Sequence, residues 1–173
     1  RLERPDRIVF DLDPDPSVEW SAVLDAARLI RARLAGLDLA SFVKTTGGKG
    51  LHVVAPLRPG ASWDEGLAFS RGVSEEIERA DPRHFTTVMA KAARKGKILI
   101  DYLRNNRGST SVAAYSTRAK PEAPISVPVA WAELTPALRP MRSASAYRSS
   151  STRPCGVRSM VRVGRTRWPK SPR

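Results

Sequence analysis

"RIVFDLDPDP", residues 7–16, decides how this chain is read. Its first four residues join a cation to β-branched and aromatic side chains, which predicts a strand. Asp11, Asp13 and Asp15 follow directly. If the strand continues through Asp11 and Asp13, their side chains share one side, because successive strand residues alternate faces. Neighbouring carboxylates repel unless one is protonated or a cation lies between them, and hard oxygen ligands at a strand end suit Mg²⁺ or Mn²⁺. Taken alone, the pattern fits a solvated surface turn better. It gains weight from its surroundings.

Outward from this stretch, Asp15 is placed to cap a helix opening at Pro16. Trp20, Val23, Ala27, Ile30 and Leu34 recur at helical spacing up to Gly36. "SFVKT" (41–45) and "LHVVA" (51–55) read as a hairpin around "TGGKG". "SWDE" (62–65) is a capping box before Leu67, Phe69, Val73 and Ile77, predicting a second helix that stops before Pro82. A third helical piece is predicted around Thr86 to Lys95. "KILIDYL" (97–103) and "SVAAY" (111–115) each predict a strand. Strands and helices mix without a βαβ rhythm, so the expected fold is α+β, a mostly antiparallel sheet flanked by helices.

The formal charge of +13 suggests a nucleic-acid binder until its location is considered. Nine arginines, one lysine and no acid lie between Arg139 and Arg173, leaving 20 basic against 17 acidic residues in the remainder. The body is near neutral, and the charge resides in a terminal segment. That segment, rich in Arg and Ser, shows no apolar period. It reads as a disordered basic arm or, favoured by its composition, as a frame-shifted translation. The expected organisation is a catalytic core over 3–138 and a tail over 139–173. With Cys155 alone, no intramolecular disulfide can form, which fits a reducing cytoplasm. No membrane association is expected.

Asp101, directly after "ILI", adds a third carboxylate in or at the end of an apolar strand, where an acid needs a partner. Asp11, Asp13 and Asp101 together match the carboxylates that a pair of divalent ions needs in phosphoryl transfer. Asp101 could instead pair with Arg104 or Arg107. In "TTGGKGLH", Gly48 and its neighbours allow backbone N–H groups to converge on an anion, Lys49 adds a point charge, and Thr45 or Thr46 adds a hydroxyl. His52 lies on the outgoing strand. Arg104, Arg107 and Arg118 flank the third acid, and guanidinium forks match phosphate oxygens, although Arg107 reads better as solvated surface charge. Acid for metal beside base for phosphate points to an enzyme acting on a nucleoside triphosphate.

"FDLDPDP" (10–16), "KTTGGKGLHVVAPL" (44–57) and "KILIDYLRNNRGSTSVAAYSTRAKPEAPISVPVAW" (97–131) resemble, in order and setting, the polymerase domain of bacterial ligase D. That domain is similar to the archaeo-eukaryotic primases and works in non-homologous end joining. The resemblance implies a primase-like catalytic subdomain in which Asp11, Asp13 and Asp101 are the metal-binding and catalytic acids. It further implies that Thr46, standing where the family more often has serine, contacts the triphosphate with Gly48, Lys49 and His52, and that Arg104 and Arg118 contact the incoming nucleotide. The implied function is template-directed addition of NTP or dNTP to DNA 3′ ends, with recognition of the 5′-phosphate at a gap and a two-metal site preferring Mn²⁺ over Mg²⁺. Implied partners are the end-binding Ku protein and a fused or separate ligase domain, with a cytoplasmic, nucleoid-associated location. Two departures stand out: the family's portion before the first acid motif is missing, and the chain leaves the family pattern after "WAEL". Weak or absent activity of the chain as given is therefore expected.

Three rival readings fit the sequence less well. A haloacid-dehalogenase-like phosphatase shares "FDLDPD" but wants a small residue and Thr where Pro14 and Asp15 stand. A calcium-binding EF-hand loop needs Gly and Glu where Pro16 and Ala22 stand. A non-catalytic nucleic-acid-binding fragment would depend on the basic tail.

Overall fold

Alternation along the first strand sets the architecture. A computed structural model of the chain describes residues 2–58 and 60–138, and the tail reading over 139–173 lies outside the described residues. Strand β1 runs over Arg7–Pro14, through both aspartates and beyond the apolar run. Ile8, Phe10 and Leu12 are fully buried on one face, while Asp11 and Asp13 lie on the other.

The chain continues through α1 (Trp20–Ala35), β2 (Phe42–Thr45), β3 (Leu51–Pro56), α2 (Trp63–Ala80), β4 (Phe85–Thr86), β5 (Ile98–Asp101) and β6 (Pro128–Val129). The six strands form one sheet in the order β4-β5-β1-β3-β2-β6. Every pairing is antiparallel except the short β4–β5 contact. The expected α+β fold and mostly antiparallel sheet are therefore present.

The apolar face packs Ile8, Phe10 and Leu12 of β1, Val43 of β2, Leu51, Val53 and Ala55 of β3, and Ile98 and Ile100 of β5 against the helices. Helix α1 contributes Val23, Leu24, Ala27, Ile30 and Leu34, and α2 contributes Val73 and Ile77. Each large side chain buried this way stabilises the fold by about 1.5–3 kcal/mol.

Three local expectations need correction. Helix α1 starts at Trp20 rather than Pro16, because Asp15 folds back on its own turn and accepts from the backbone N–H and hydroxyl of Ser17 at 3.0 and 2.7 Å. The helix ends at Ala35 with Gly36 as its C-cap, as expected, and the following turn closes through the Leu39 N–H to the Leu34 carbonyl at 2.9 Å with Asp38 left-handed at φ 56°. The piece over Thr86 to Lys95 is not a third α-helix. It ends β4 and then forms one 3₁₀ turn, Lys91–Arg94. "SVAAY" is not a strand: Tyr115 takes φ 66°, and the segment is irregular. The capping box of α2 forms as expected, with Ser62 Oγ accepting from the Glu65 N–H and Glu65 accepting from the Ser62 N–H.

Candidate active site

The polar face of the sheet is organised by register. Asp11 pairs across to Asp101 on β5 and to His52 on β3, and His52 pairs to Lys44 on β2. Residues directly opposite in a sheet point to the same face, so four adjacent strands present the row Asp101, Asp11, His52, Lys44. Asp13 stands two residues along on the same side. Asp101, Asp11, Asp13 and His52 floor a cavity of about 530 Å³, and Lys44 lies behind its wall. All nine residues to which the family resemblance points line it: Asp11, Asp13, Thr46, Gly48, Lys49, His52, Asp101, Arg104 and Arg118. Arg107 does not. It pairs with Glu3 at 2.7 Å on the exposed surface.

The opposite wall is the "TTGGKG" turn. Gly47 sits at φ +67°, and a Cβ there would lie 2.9 Å from Arg118 Cγ, so only glycine fits. A Cβ on Gly50 would meet the Leu12 carbonyl oxygen at 2.0 Å, which holds the turn hard against β1. Thr46 Oγ1 donates to the Gly50 carbonyl at 3.1 Å and accepts from the Gly48 N–H at 3.2 Å. Its hydroxyl organises the turn from within. Lys49 donates to the Pro14 carbonyl and lies 3.4 Å from Asp13.

Side-chain cations already face the acids. Arg104 Nε is 3.1 Å from both Asp11 and Asp101, and Arg94 Nη1 is 3.3 Å from Asp13. Burial pushes the Asp11 carboxyl up, but His52 and Arg104 outweigh it and hold the group below its usual range. Burial dominates at Asp101, and with the Asp11 charge opposite it raises that carboxyl against the pull of Arg104. Burial likewise lowers the His52 imidazole, against Asp11. His52 is thus neutral near pH 7, its Nε2 3.3 Å from Asp11, and its Nδ1 has no hydrogen-bond partner among the described residues. Among the described residues no three His, Cys, Asp or Glu side chains stand in ready-made metal-ligand geometry. The donor set of three carboxylates on adjacent strands nevertheless has the chemistry of an Mg²⁺ or Mn²⁺ site.

Four contributors escaped the sequence reading. Arg94 lies in the 3₁₀ turn Lys91–Arg94, and no local pattern signals its contact with Asp13. Lys120, whose N–H turns back onto the Arg118 carbonyl at 2.8 Å, joins the cavity lining. Lys44 is a lone cation in a buried strand, and this oddity was the available signal. Asn105 is buried beside the edge of β1, donating to the Val9 carbonyl at 2.8 Å and accepting from the Val9 N–H at 2.7 Å. Its amide continues the β1–β5 ladder where β5 has ended. The 3₁₀ turn Leu103–Asn105, which carries Arg104, is thereby pinned over the acids.

An antiparallel sheet with paired acids on its central strands, facing a basic glycine turn, defines an α+β domain of the primase-polymerase class. The chain belongs to the LigD primase-polymerase domain family, whose model matches residues 1–151. It is 48% identical over 133 residues to the multifunctional non-homologous end joining protein LigD of Pseudomonas aeruginosa, and 32% identical over 141 residues to the bifunctional LigD of Bacillus subtilis. Those matches cover 77% and 81% of this chain but 16% and 23% of the relatives. The polymerase domain of Mycobacterium tuberculosis ligase D in complex with DNA superposes with a TM-score of 0.78 at 36% identity, over 81% of this chain and 49% of that one. The chain thus spans about half of that solved polymerase domain.

Proposed function

We propose that this chain carries the nucleotide site of a DNA-directed nucleotidyltransferase that fills gaps and extends 3′ ends in bacterial double-strand-break repair by end joining. The observation that carries the reading is the register: one cross-strand row brings Asp11, Asp101 and His52 together opposite Lys49 and Arg118 in one cavity. In this reading an NTP or dNTP lies along the glycine turn, with its phosphates toward Lys49, Arg118 and Lys120. Among the described residues Arg118 and Lys120 have no carboxylate within ion-pairing distance, so their charge is available to an anion. The primer 3′-hydroxyl attacks the α-phosphorus in line. The new P–O bond forms as the bond to pyrophosphate breaks, and the hydroxyl proton leaves to solvent.

Asp11, Asp13 and Asp101 would hold Mn²⁺ or Mg²⁺, which when bound supplies Lewis-acid neutralisation of the developing charge. The chain's own residues contribute position and field. Lys49, Arg104 and Arg118 orient the polyphosphate, and neutral His52 fixes the Asp11 carboxylate. The DNA partner is a gap or end bearing a 5′-phosphate, and Ku and a ligase domain are the associated factors. The core spans 3–138, with 139–173 a separate basic segment.

The test is Mn²⁺-dependent primer extension and nucleotide binding by three polypeptides: this chain, its Asp11→Ala plus Asp13→Ala variant, and a version prolonged at the N-terminus to the length of the solved relative. The chain alone is expected to bind nucleotide but extend weakly, and the prolonged version to extend. Equal extension by the acid-free variant would defeat the assignment.

A further inference from the structure

The fourth ionisable residue of the row, Lys44, has no part in the chemistry above. It is only 8% exposed, and a buried ammonium must be hydrogen-bonded to offset its lost hydration. Its Nζ donates to the Val112 carbonyl at 2.8 Å and to Ser126 Oγ at 2.9 Å, and Ser126 Oγ donates in turn to the Thr45 carbonyl at 2.7 Å. The two acceptors lie on different pieces of chain. Ser126 is fully buried beside β2, whereas Val112, with Thr110 and Ser111, forms a wall of the cavity.

Among the described residues that wall has few other ties. Residues 109–114 pair with no strand, and their described ties elsewhere are few. The Ser109 N–H reaches the Asn106 carbonyl at 3.0 Å, Arg104 Nη1 reaches the Thr110 carbonyl at 3.3 Å, and the Tyr115 N–H reaches the Ser126 carbonyl at 2.7 Å. Between Thr110 and Tyr115 the described tie to the sheet is the Lys44 ammonium. A segment with few such anchors opens locally at low free energy, and a charge-assisted bond is the strong kind.

We infer that Lys44 is a positioning residue that latches the Thr110–Val112 wall onto β2 and so sets the width of the cleft that receives the nucleotide. The inference rests on the nucleotide reading above for its consequence, but not for the latch itself. It acts through Val112, since Lys44 does not line the cavity.

Two readouts test it on the whole chain, comparing wild type with Lys44→Met and Lys44→Arg. The first is amide hydrogen exchange. In Lys44→Met the amides of 110–115 are expected to exchange at least about tenfold faster, while those of β1 and β3 keep their protection. Lys44→Arg, which retains charge and donors, is expected to restore part of the loss. The second is affinity for ATP with Mn²⁺, expected to weaken by about tenfold in Lys44→Met, the scale seen when a supporting contact behind a site is removed. Unchanged exchange over 110–115 in both variants overturns the latch, as does acceleration spread evenly over the whole sheet. Should Lys44→Met fail to fold, Lys44→Arg is read alone: loosening confined to 110–115 supports the latch, and unchanged exchange there overturns it. If wild type binds no nucleotide, the proposed function fails, while the exchange result still decides the latch. Wild-type affinity in a Lys44→Met protein whose wall has loosened overturns the claim that the wall sets the cleft.

Discussion

The two faces of β1 differ by a single residue step and by everything else. Ile8, Phe10 and Leu12 are fully buried against α1 and α2, while Asp11 and Asp13 face a polar cavity ringed by Lys49, Arg94 and Arg104. One face is held by apolar area removed from water, the other by charge pairs that hold like charges in place. Stability and function are thus written on alternate residues of the same strand, and substitutions can separate them.

The largest effect is expected on the polar face. Replacing Asp11 and Asp13 by alanine should lower Mn²⁺-dependent extension by the prolonged polypeptide at least about 10²-fold, the scale of removing a transition-state electrostatic contact. The urea midpoint should change little. A collapse of stability would break the separation of faces.

Next, Phe10→Ala should remove about 3–5 kcal/mol of stability by opening a core cavity, measured by urea unfolding. Retained nucleotide affinity in the surviving folded fraction would sharpen the contrast.

The third expectation concerns pH. Burial lowers the Lys44 ammonium to about 8 from its usual 10.5, so the unfolded chain binds more protons between those values. Stability should therefore rise with pH from about 8 to 10.5, by on the order of 3 kcal/mol at 1.36 kcal/mol per pH unit. Lys44→Met should lack this rise, and a wild-type curve flat across that window would refute it.

A smaller effect is expected at Asn105. Asn105→Ala strands the buried Val9 N–H and carbonyl and should destabilise by about 1–3 kcal/mol. It should also weaken ATP binding by freeing the turn that carries Arg104. The smallest is Arg107→Ala: its exposed pair with Glu3 should contribute less than about 1 kcal/mol, with no change in nucleotide affinity.

How much of this was legible beforehand follows from the range of the forces involved. The hairpin, the α2 capping box and the strands flanking the acids are local patterns, set by alternation, glycine and capping residues within a few positions. That nine of the residues now lining the cavity belong together was also legible, because three motifs carry them and the family resemblance joined those motifs. Residues 86–95 and 111–115 were misread because their shape comes from distant partners. Arg94 is drawn to Asp13, 81 positions away, and the Val112 carbonyl is taken by Lys44, 68 positions away.

By itself, then, the sequence determined which residues are apolar in period and which carry charge, hence an α+β sheet with acids on its central strand. Tertiary structure alone decided that Asp101, Asp11, His52 and Lys44 form one row, and that Asn105 and Lys44 brace the walls around it. The reason is physical: propensity acts between near neighbours, whereas cross-strand register and the pairing of buried polar groups exist only once the sheet has closed.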